Sequence, residues 1–377
     1  MILQLLLIIL LLISMKNTCC KRNVLVVGLN PALQRSIKVN NLIPGSVNRG
    51  VESVVGIGGK GQDVIVAASC QLNNKDNIPS LLQFLGNGFE GDALGSLLEE
   101  KTGIPLLSPD DFSIRTKARC RTCITLVDMK SEEATEIIEP SEKIQSVELE
   151  LLLSKIRTEY NTIKTEGLVI MGSTPPGCPE NLYSQIISST CDSKSKIILD
   201  TTTGLNDAFT VIKNIKSVPI LKINAREFCK LANVQTSTGS ESASATSANI
   251  LIDAAKILGD LYKTDFYAAI TDGPFGAYLF KIYSNSIIGW KYTIPALHKQ
   301  FINPIGAGDA VASGLSLYIC NKIEDNSTDP NFDSKITKAF SWGLACGSAS
   351  CMTNKNSVFE LNDCREIFKK IEIEELL

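Results

Sequence analysis

The chain has 377 residues, 44% of them hydrophobic, and sets 37 Lys and Arg against 40 Asp and Glu for a net charge of −3. That length can bury a large core, in one big α/β unit or in two domains. The balanced charge and the absence of a long basic run argue against nucleic acid as a partner.

The opening run MILQLLLIILLLIS is apolar but too short and too early to span a bilayer comfortably, and it reads as the h-region of a targeting signal. Residues 1–20 are therefore set apart as a leader pointing to an organelle or the secretory pathway, with the folded domain at 21–377 and no stable membrane span once the leader is removed. The missing positive n-region and the in-frame Met15 leave a later start open. The sequon at Asn326 matters only on a secretory route.

Short apolar runs bounded by Gly, Pro or Asp predict buried strands at Val24–Gly28, Leu81–Gly86, Leu168–Gly172, Lys196–Asp200, Val218–Ile223 and Tyr267–Thr271. Helical periods at Gln62–Leu72, Val147–Ile163, Ile250–Tyr262 and Gly308–Cys320 fall between them. Alternating strands and helices predict one doubly wound α/β core around a mostly parallel sheet with helices on both faces. Segments 36–55 and 114–139 break the rhythm as short strands with turns, which predicts a small β lid over a cleft or a clasp for a homodimer. The polar stretch Gln235–Ala248 and the acidic stretch Glu324–Ser334 read as solvated loops. The twelve cysteines are scattered singly through apolar segments and read as buried free thiols. Cys120 and Cys123, three apart on a strand, face opposite ways and lack the second pair a zinc site needs.

The sharpest chemical signal is Asn303-Pro304-Ile305-Gly306-Ala307-Gly308-Asp309, followed at once by an apolar helix. Helix N-terminal amides are unsatisfied donors in a positive dipole, so Gly306, Ala307 and Gly308 can form an anion hole, and Asp309 in the first turn can take a proton from a hydroxyl. An Asp N-cap beside flexible glycines is the plainer alternative. Gly58-Gly59-Lys60-Gly61 opens another helix, where glycines let a polar ligand press against backbone. The chain has one histidine, His298, no G-x-S-x-G elbow and no P-loop, so a Ser-His-Asp triad and Walker-type phosphate binding are both disfavoured.

Together these motifs resemble the ribokinase-type (PfkB) carbohydrate kinases over about residues 23–360. Gly306–Asp309 matches the family's G-A-G-D, with Asn303 and Pro304 in place of the usual Asp-Thr, and Gly58–Gly61 matches its G-G-K-G sugar motif. Leu29-Asn30-Pro31-Ala32-Leu33 resembles the start of the hexose-phosphate branch, the 1-phosphofructokinases and tagatose-phosphate kinases. Gln34 stands where that branch has Asp, and Asp63 stands in the region where Asn is usual. Cys120–Thr125 and Ala134–Pro140 resemble the same branch's lid strands, which makes Arg121 a clamp for a substrate phosphate, with Arg49 and Lys60 as weaker helpers. Asn224 and Glu227 match the N-x-x-E element, Asn224 for ATP phosphate and Glu227 for Mg²⁺ through water. Thr271, Gly273 and Gly276 match the nucleotide-side strand and turn, and Met171–Gly177 the loop ending a central strand.

The resemblance implies a ribokinase-like three-layer fold and a phosphotransferase using ATP and Mg²⁺, with monovalent-cation activation open. Its substrate groups are Asn30, Gln34, Gly58, Gly59, Lys60, Asp63 and Arg121, and its base is Asp309. The expected partner is a small sugar or sugar phosphate, with fructose 1-phosphate becoming fructose 1,6-bisphosphate as the leading case. The alternatives are a kinase for an unphosphorylated sugar or nucleoside and a non-catalytic relative that binds a ligand or partner.

Overall fold

A computed structural model describes residues 24–376 apart from 75–76, 106–111, 132, 161–163, 236–244, 284–285, 298, 300–302 and 324–331. The leader, His298, the Asn326 sequon and most of both polar stretches lie outside the described residues. The chain begins with β1 (Val24–Val27), β2 (Ala32–Val39) and β3 (Gly50–Gly58) and enters α1 (Lys60–Gln71). Next come β4 (Ser80–Gly86), α2 (Phe89–Thr102), β5 (Ser113–Thr116), β6 (Arg121–Asp128) and β7 (Ala134–Ile138). Strands and helices then alternate through α3 (Ser146–Tyr160), β8 (Gly167–Met171), α4 (Leu182–Thr190), β9 (Lys196–Asp200), α5 (Leu205–Asn214), β10 (Ile220–Asn224), α6 (Ala225–Leu231), α7 (Ala248–Tyr262) and β11 (Phe266–Thr271). The last part holds β12 (Ala277–Ile282), β13 (Ile287–Thr293), α8 (Ala307–Ile319), α9 (Phe332–Ser350), α10 (Leu361–Phe368) and β14 (Glu372–Glu375).

Ten strands form the main sheet in the order β14-β13-β12-β11-β10-β9-β8-β1-β4-β5. From β5 to β11 every neighbour is parallel, and β12, β13 and β14 add antiparallel strands at one edge. Successive strand residues face opposite ways, and β1 shows the result. Val24 and Val26 pack with Val64, Leu315 and Phe340 of α1, α8 and α9, while Leu25 and Val27 pack with Leu152, Tyr183, Phe209 and Leu251 of α3, α4, α5 and α7. A strand buried on both faces has no polar side to show, which is why these segments read as unbroken apolar runs. The fold is the ribokinase-like three-layer α/β architecture.

The small sheet, in the order β3-β2-β6-β7, is separate. It runs back to Ala32 and forward to Gly58, but it does not include 114–116. Ile114 pairs with Phe84 at the edge of the main sheet, because the short segment Ser113–Thr116 finds a parallel partner in β4. The acidic stretch is corrected too, since residues 332–334 already belong to α9, where Asp333 pairs with Lys281 at 2.7 Å. The ten described cysteines are all free, seven of them buried. No helix among the described residues is long and apolar enough to cross a membrane.

The site end is set by strand register. The carboxyl ends of β8, β9, β10 and β11 line up, with Met171 beside Asp200 and Asn224 beside Thr271, the edge where open α/β sheets bind ligands. The start of α1 is drawn onto the end of β1, because a Cβ on Gly61 would lie 2.4 Å from the Cα of Gly28. Only backbone fits there. Gly61→Ala is therefore expected to cost about 1–3 kcal/mol of stability, read as a lower urea midpoint at unchanged slope.

Candidate active site

Asp200 ends β9 with only 2% exposure and holds two ammonium groups. Lys60 Nζ, from the start of α1, donates to its Oδ1 at 2.8 Å, and Lys222 Nζ, from β10, donates to its Oδ2 at 2.6 Å. Burial alone would raise the Asp200 carboxyl, but Lys222 and then Lys60 hold it below the ordinary range. Desolvation works against the Lys60 charge, yet Asp200 and then Asp309 outweigh it and raise its pKa. Lys222 also meets the anion turn, where a Cβ on Gly308 would lie 2.9 Å from its Nζ.

The turn before α8 is braced from behind. Gly306 is left-handed at φ 78, its carbonyl accepts from Ser357 Oγ at 2.9 Å, and a Cβ added there would stand 2.4 Å from that oxygen. Asn303 accepts from the amide of Ile305 and donates to Asn356, each at 3.0 Å. One expectation changes: the Ala307 amide turns back to Pro304 O at 3.2 Å. The amides with no intrahelical acceptor ahead of them are therefore those of Gly308 and Asp309.

Asp309 is half-buried in the first turn of α8. Burial most of all, then the charge of Asp200, push its carboxyl up to about 7, with Lys222 and Lys60 pulling down and Glu227 pushing up. A carboxyl titrating there can accept a hydroxyl proton near neutral pH.

On the lid side, Arg121, Asn30, Arg119 and Ser141 line a small cavity of about 20 Å³ together with Phe84 and Ile144. Arg121 Nη2 donates to Asn30 O at 3.3 Å, Ser141 Oγ donates to Asn30 Oδ1 at 2.8 Å, and Arg121 Nε is enclosed without a partner. Gln34 donates to Thr125 Oγ1 at 2.6 Å, and Asp63 is 4% exposed. A Cβ on Gly58 would touch the Gln34 side chain at 3.1 Å, and Gly59 has φ +103, so both glycines keep the entry to α1 thin. Lys60 is tied to Asp200 and belongs to the centre of the site, not to this cavity. Arg49 is exposed on β3's approach.

At the end of β10, Asn224 and Glu227 form a reciprocal cap at the start of α6, with Glu227 N donating to Asn224 Oδ1 at 2.8 Å. The Glu227 charge nonetheless acts on both Lys60 and Asp309, so this half-exposed carboxylate faces the centre. Next to Thr271, the turn Gly273–Phe275 is closed by Asp272 N donating to Gly276 O at 3.0 Å. A Cβ on Gly276 would fall 2.5 Å from Tyr292 O.

A family model, pfkB family carbohydrate kinase, matches residues 21–357. The chain belongs to that family. It is 26% identical over 354 residues to a tagatose-6-phosphate kinase of Staphylococcus epidermidis, covering 94% of this chain and 100% of the relative. Phosphofructokinase-2 from Escherichia coli, solved with substrates and products, superposes with TM-score 0.68 at 20% identity, covering 92% of this chain and 98% of that one. Ribokinase from Giardia lamblia gives TM-score 0.69 at 14% identity over 92% and 98%. As a pfkB carbohydrate kinase the chain is a phosphotransferase with an alcohol acceptor, and the family implies ATP as donor with Mg²⁺.

Two groups in this kinase escaped the sequence motifs, Asp200 and Lys222. Each had a signal: Lys222 is a charge inside the apolar run Val218–Ile223, and Asp200 is a carboxylate ending a buried strand. A buried charge is costly unless paired, so each called for the other. Lys222→Met leaves Asp200 with one cation and is expected to lower stability by about 3 kcal/mol in a denaturant titration. Asp309→Asn should reduce kcat by about a hundred- to ten-thousandfold with ATP affinity retained. Because a carboxylate can serve as a base only when ionised, wild-type kcat should climb as pH rises through about 7; a flat profile there would count against Asp309 as the base.

Proposed function

We propose that this kinase transfers the γ-phosphoryl group of ATP to a hydroxyl of a sugar phosphate, with fructose 1-phosphate giving fructose 1,6-bisphosphate as the leading case. The observation that carries it is the enclosed, unpartnered Arg121 Nε beside Asn30, Ser141 and Arg119. An enclosed N–H of a half-buried guanidinium, left unused, calls for an acceptor, and a fork of this kind suits phosphate oxygens. The relative named tagatose-6-phosphate kinase supports a phosphorylated hexose.

In this assignment Asp309 takes the proton of the attacking hydroxyl. The Gly308 and Asp309 amides, with Lys222 beside them, face the charge developing on the phosphoryl group. Asp200 fixes the two lysines. Mg²⁺ fits the oxygen donor Glu227, whose charge already reaches the site, and when bound it neutralises phosphate charge. Asn224 serves the phosphates, and Thr271, Gly273 and Gly276 line the nucleotide side.

The lid is also assigned a self-contact. Strand register sets Val55, Arg35, Ile124 and Ile137 in one row across the small sheet, and Val55 and Ile137 are 44% and 51% exposed. That row faces away from Gln34 and fits a homodimer clasp.

ADP release from Mg-ATP is expected with fructose 1-phosphate, fructose 6-phosphate or tagatose 6-phosphate, and little with free hexoses, ribose or nucleosides. Arg121→Ala should raise KM for the phosphorylated acceptor by about 10- to 100-fold at constant KM for ATP. Faster turnover of an unphosphorylated sugar or nucleoside, indifferent to Arg121, would move the acceptor assignment to that class.

A further inference from the structure

Asp63 lies in the first turn of α1, beneath the lid face that carries Gln34, Thr125 and Glu136. The register of β2, β6 and β7 places those three on one side of the small sheet, with Thr125 directly opposite Glu136. Asp63 Oδ1 is enclosed and meets no hydrogen-bond donor. The charges acting on the carboxyl are those of Asp309 and Glu136, both negative. Asp200, also buried, has two ammonium groups within 2.8 Å; Asp63 has no such pair among the described residues. An ionised carboxylate here would leave a charged oxygen unpaired between two like charges, whereas a neutral acid leaves only a carbonyl-type oxygen without a partner. Burial first, then Asp309 and Glu136, act in the same direction and raise the carboxyl well above its usual range. Gln34, across the cleft, already directs Nε2 at Thr125.

We propose that Asp63 binds the acceptor as a neutral carboxylic acid, donating its proton in a hydrogen bond to a sugar oxygen next to the hydroxyl that Asp309 deprotonates. Two carboxyl groups in one site then do opposite work, because Asp309 faces Lys60 and Lys222 as well as Asp200 and Glu227, while Asp63 faces only acids. The acceptor selected is one that presents an oxygen able to receive that hydrogen bond beside the reacting hydroxyl. The proposal rests on the kinase assignment above.

The test is the pH dependence of acceptor KM, kcat and ATP KM for wild type, Asp63→Asn and Asp63→Leu. Wild-type acceptor KM should rise at least about tenfold toward alkaline pH, as Asp63 ionises and the donor is lost, with ATP KM flat. Asp63→Asn keeps an N–H donor and cannot ionise, so it should stay within about threefold of wild type at neutral pH and lose the alkaline rise. Asp63→Leu should raise acceptor KM by about 10- to 100-fold at every pH. Independently of turnover, infrared difference spectra of the whole protein should show a protonated-carboxyl carbonyl band at neutral pH that is missing in Asp63→Asn. An Asp63→Asn variant as impaired as Asp63→Leu at neutral pH, an alkaline rise that survives in it, or absence of the band would overturn the neutral acid and leave the kinase standing. No turnover of any phosphorylated or free sugar by wild type would remove both.

Discussion

Everything at the site end hangs on one carboxylate taken out of water between two ammonium groups. Asp200 closes a parallel strand where nothing but paired charge is tolerable, and its partners arrive from different parts of the chain. Lys60 comes from the glycine-rich entry to α1 and Lys222 from the neighbouring strand, where it also abuts the anion turn at Gly308. The cluster therefore sets the relative positions of α1, the sheet edge and α8. A single hydrogen-bonded ion triad couples three motifs that lie up to 249 residues apart in sequence, from Lys60 to Asp309.

That coupling also sets the character of the Asp309 carboxyl. Asp309 stands close enough to feel Asp200 as a like charge and the two lysines as opposite ones, and the balance leaves its carboxyl near 7. An ordinary surface aspartate would be ionised but weakly basic, and an isolated buried one would be protonated and useless as a base. The triad holds Asp309 between these limits, where proton uptake from a hydroxyl is near balance at neutral pH. Steric closure supports the electrostatics. The anion turn is fixed by Ser357 and Asn356 from behind, and Gly347 of α9 leaves no room for a Cβ beside Ala307 O.

Most of the fold was legible because parallel strands buried on both faces leave a plain trace. Lys196–Asp200 was read to its exact bounds and the other core strands to within two residues of theirs. The antiparallel edge was not read: β12 is nearly as buried as the core strands, β13 mixes buried and half-buried positions, and β14 is exposed along its whole length and gains its identity only by pairing with β13. Ile114 met a similar limit, because Ser113–Thr116 carries a single apolar side chain and nothing local chooses between a lid strand and the edge strand it forms. At the site, the glycine turns and Asp309 were visible as motifs, because close backbone approach demands glycine wherever it occurs. Asp200 and Lys222 were not, because an ion pair is a property of two positions and neither residue carries a motif by itself.

The departures at 34 and 63 acquire a physical sense only in the folded chain. In sequence they look like an amide and a carboxylate exchanged, which would reverse the donor and acceptor pattern presented to a sugar. In the structure Gln34 is anchored to Thr125, and Asp63 lies among acids with an unpaired oxygen. A carboxyl that stays neutral offers one donor and one acceptor, the same two functions as an amide. The exchange then conserves the hydrogen-bonding pattern at position 63 through protonation instead of residue identity, and no cation among the described residues pairs with Asp63 as Lys60 and Lys222 pair with Asp200.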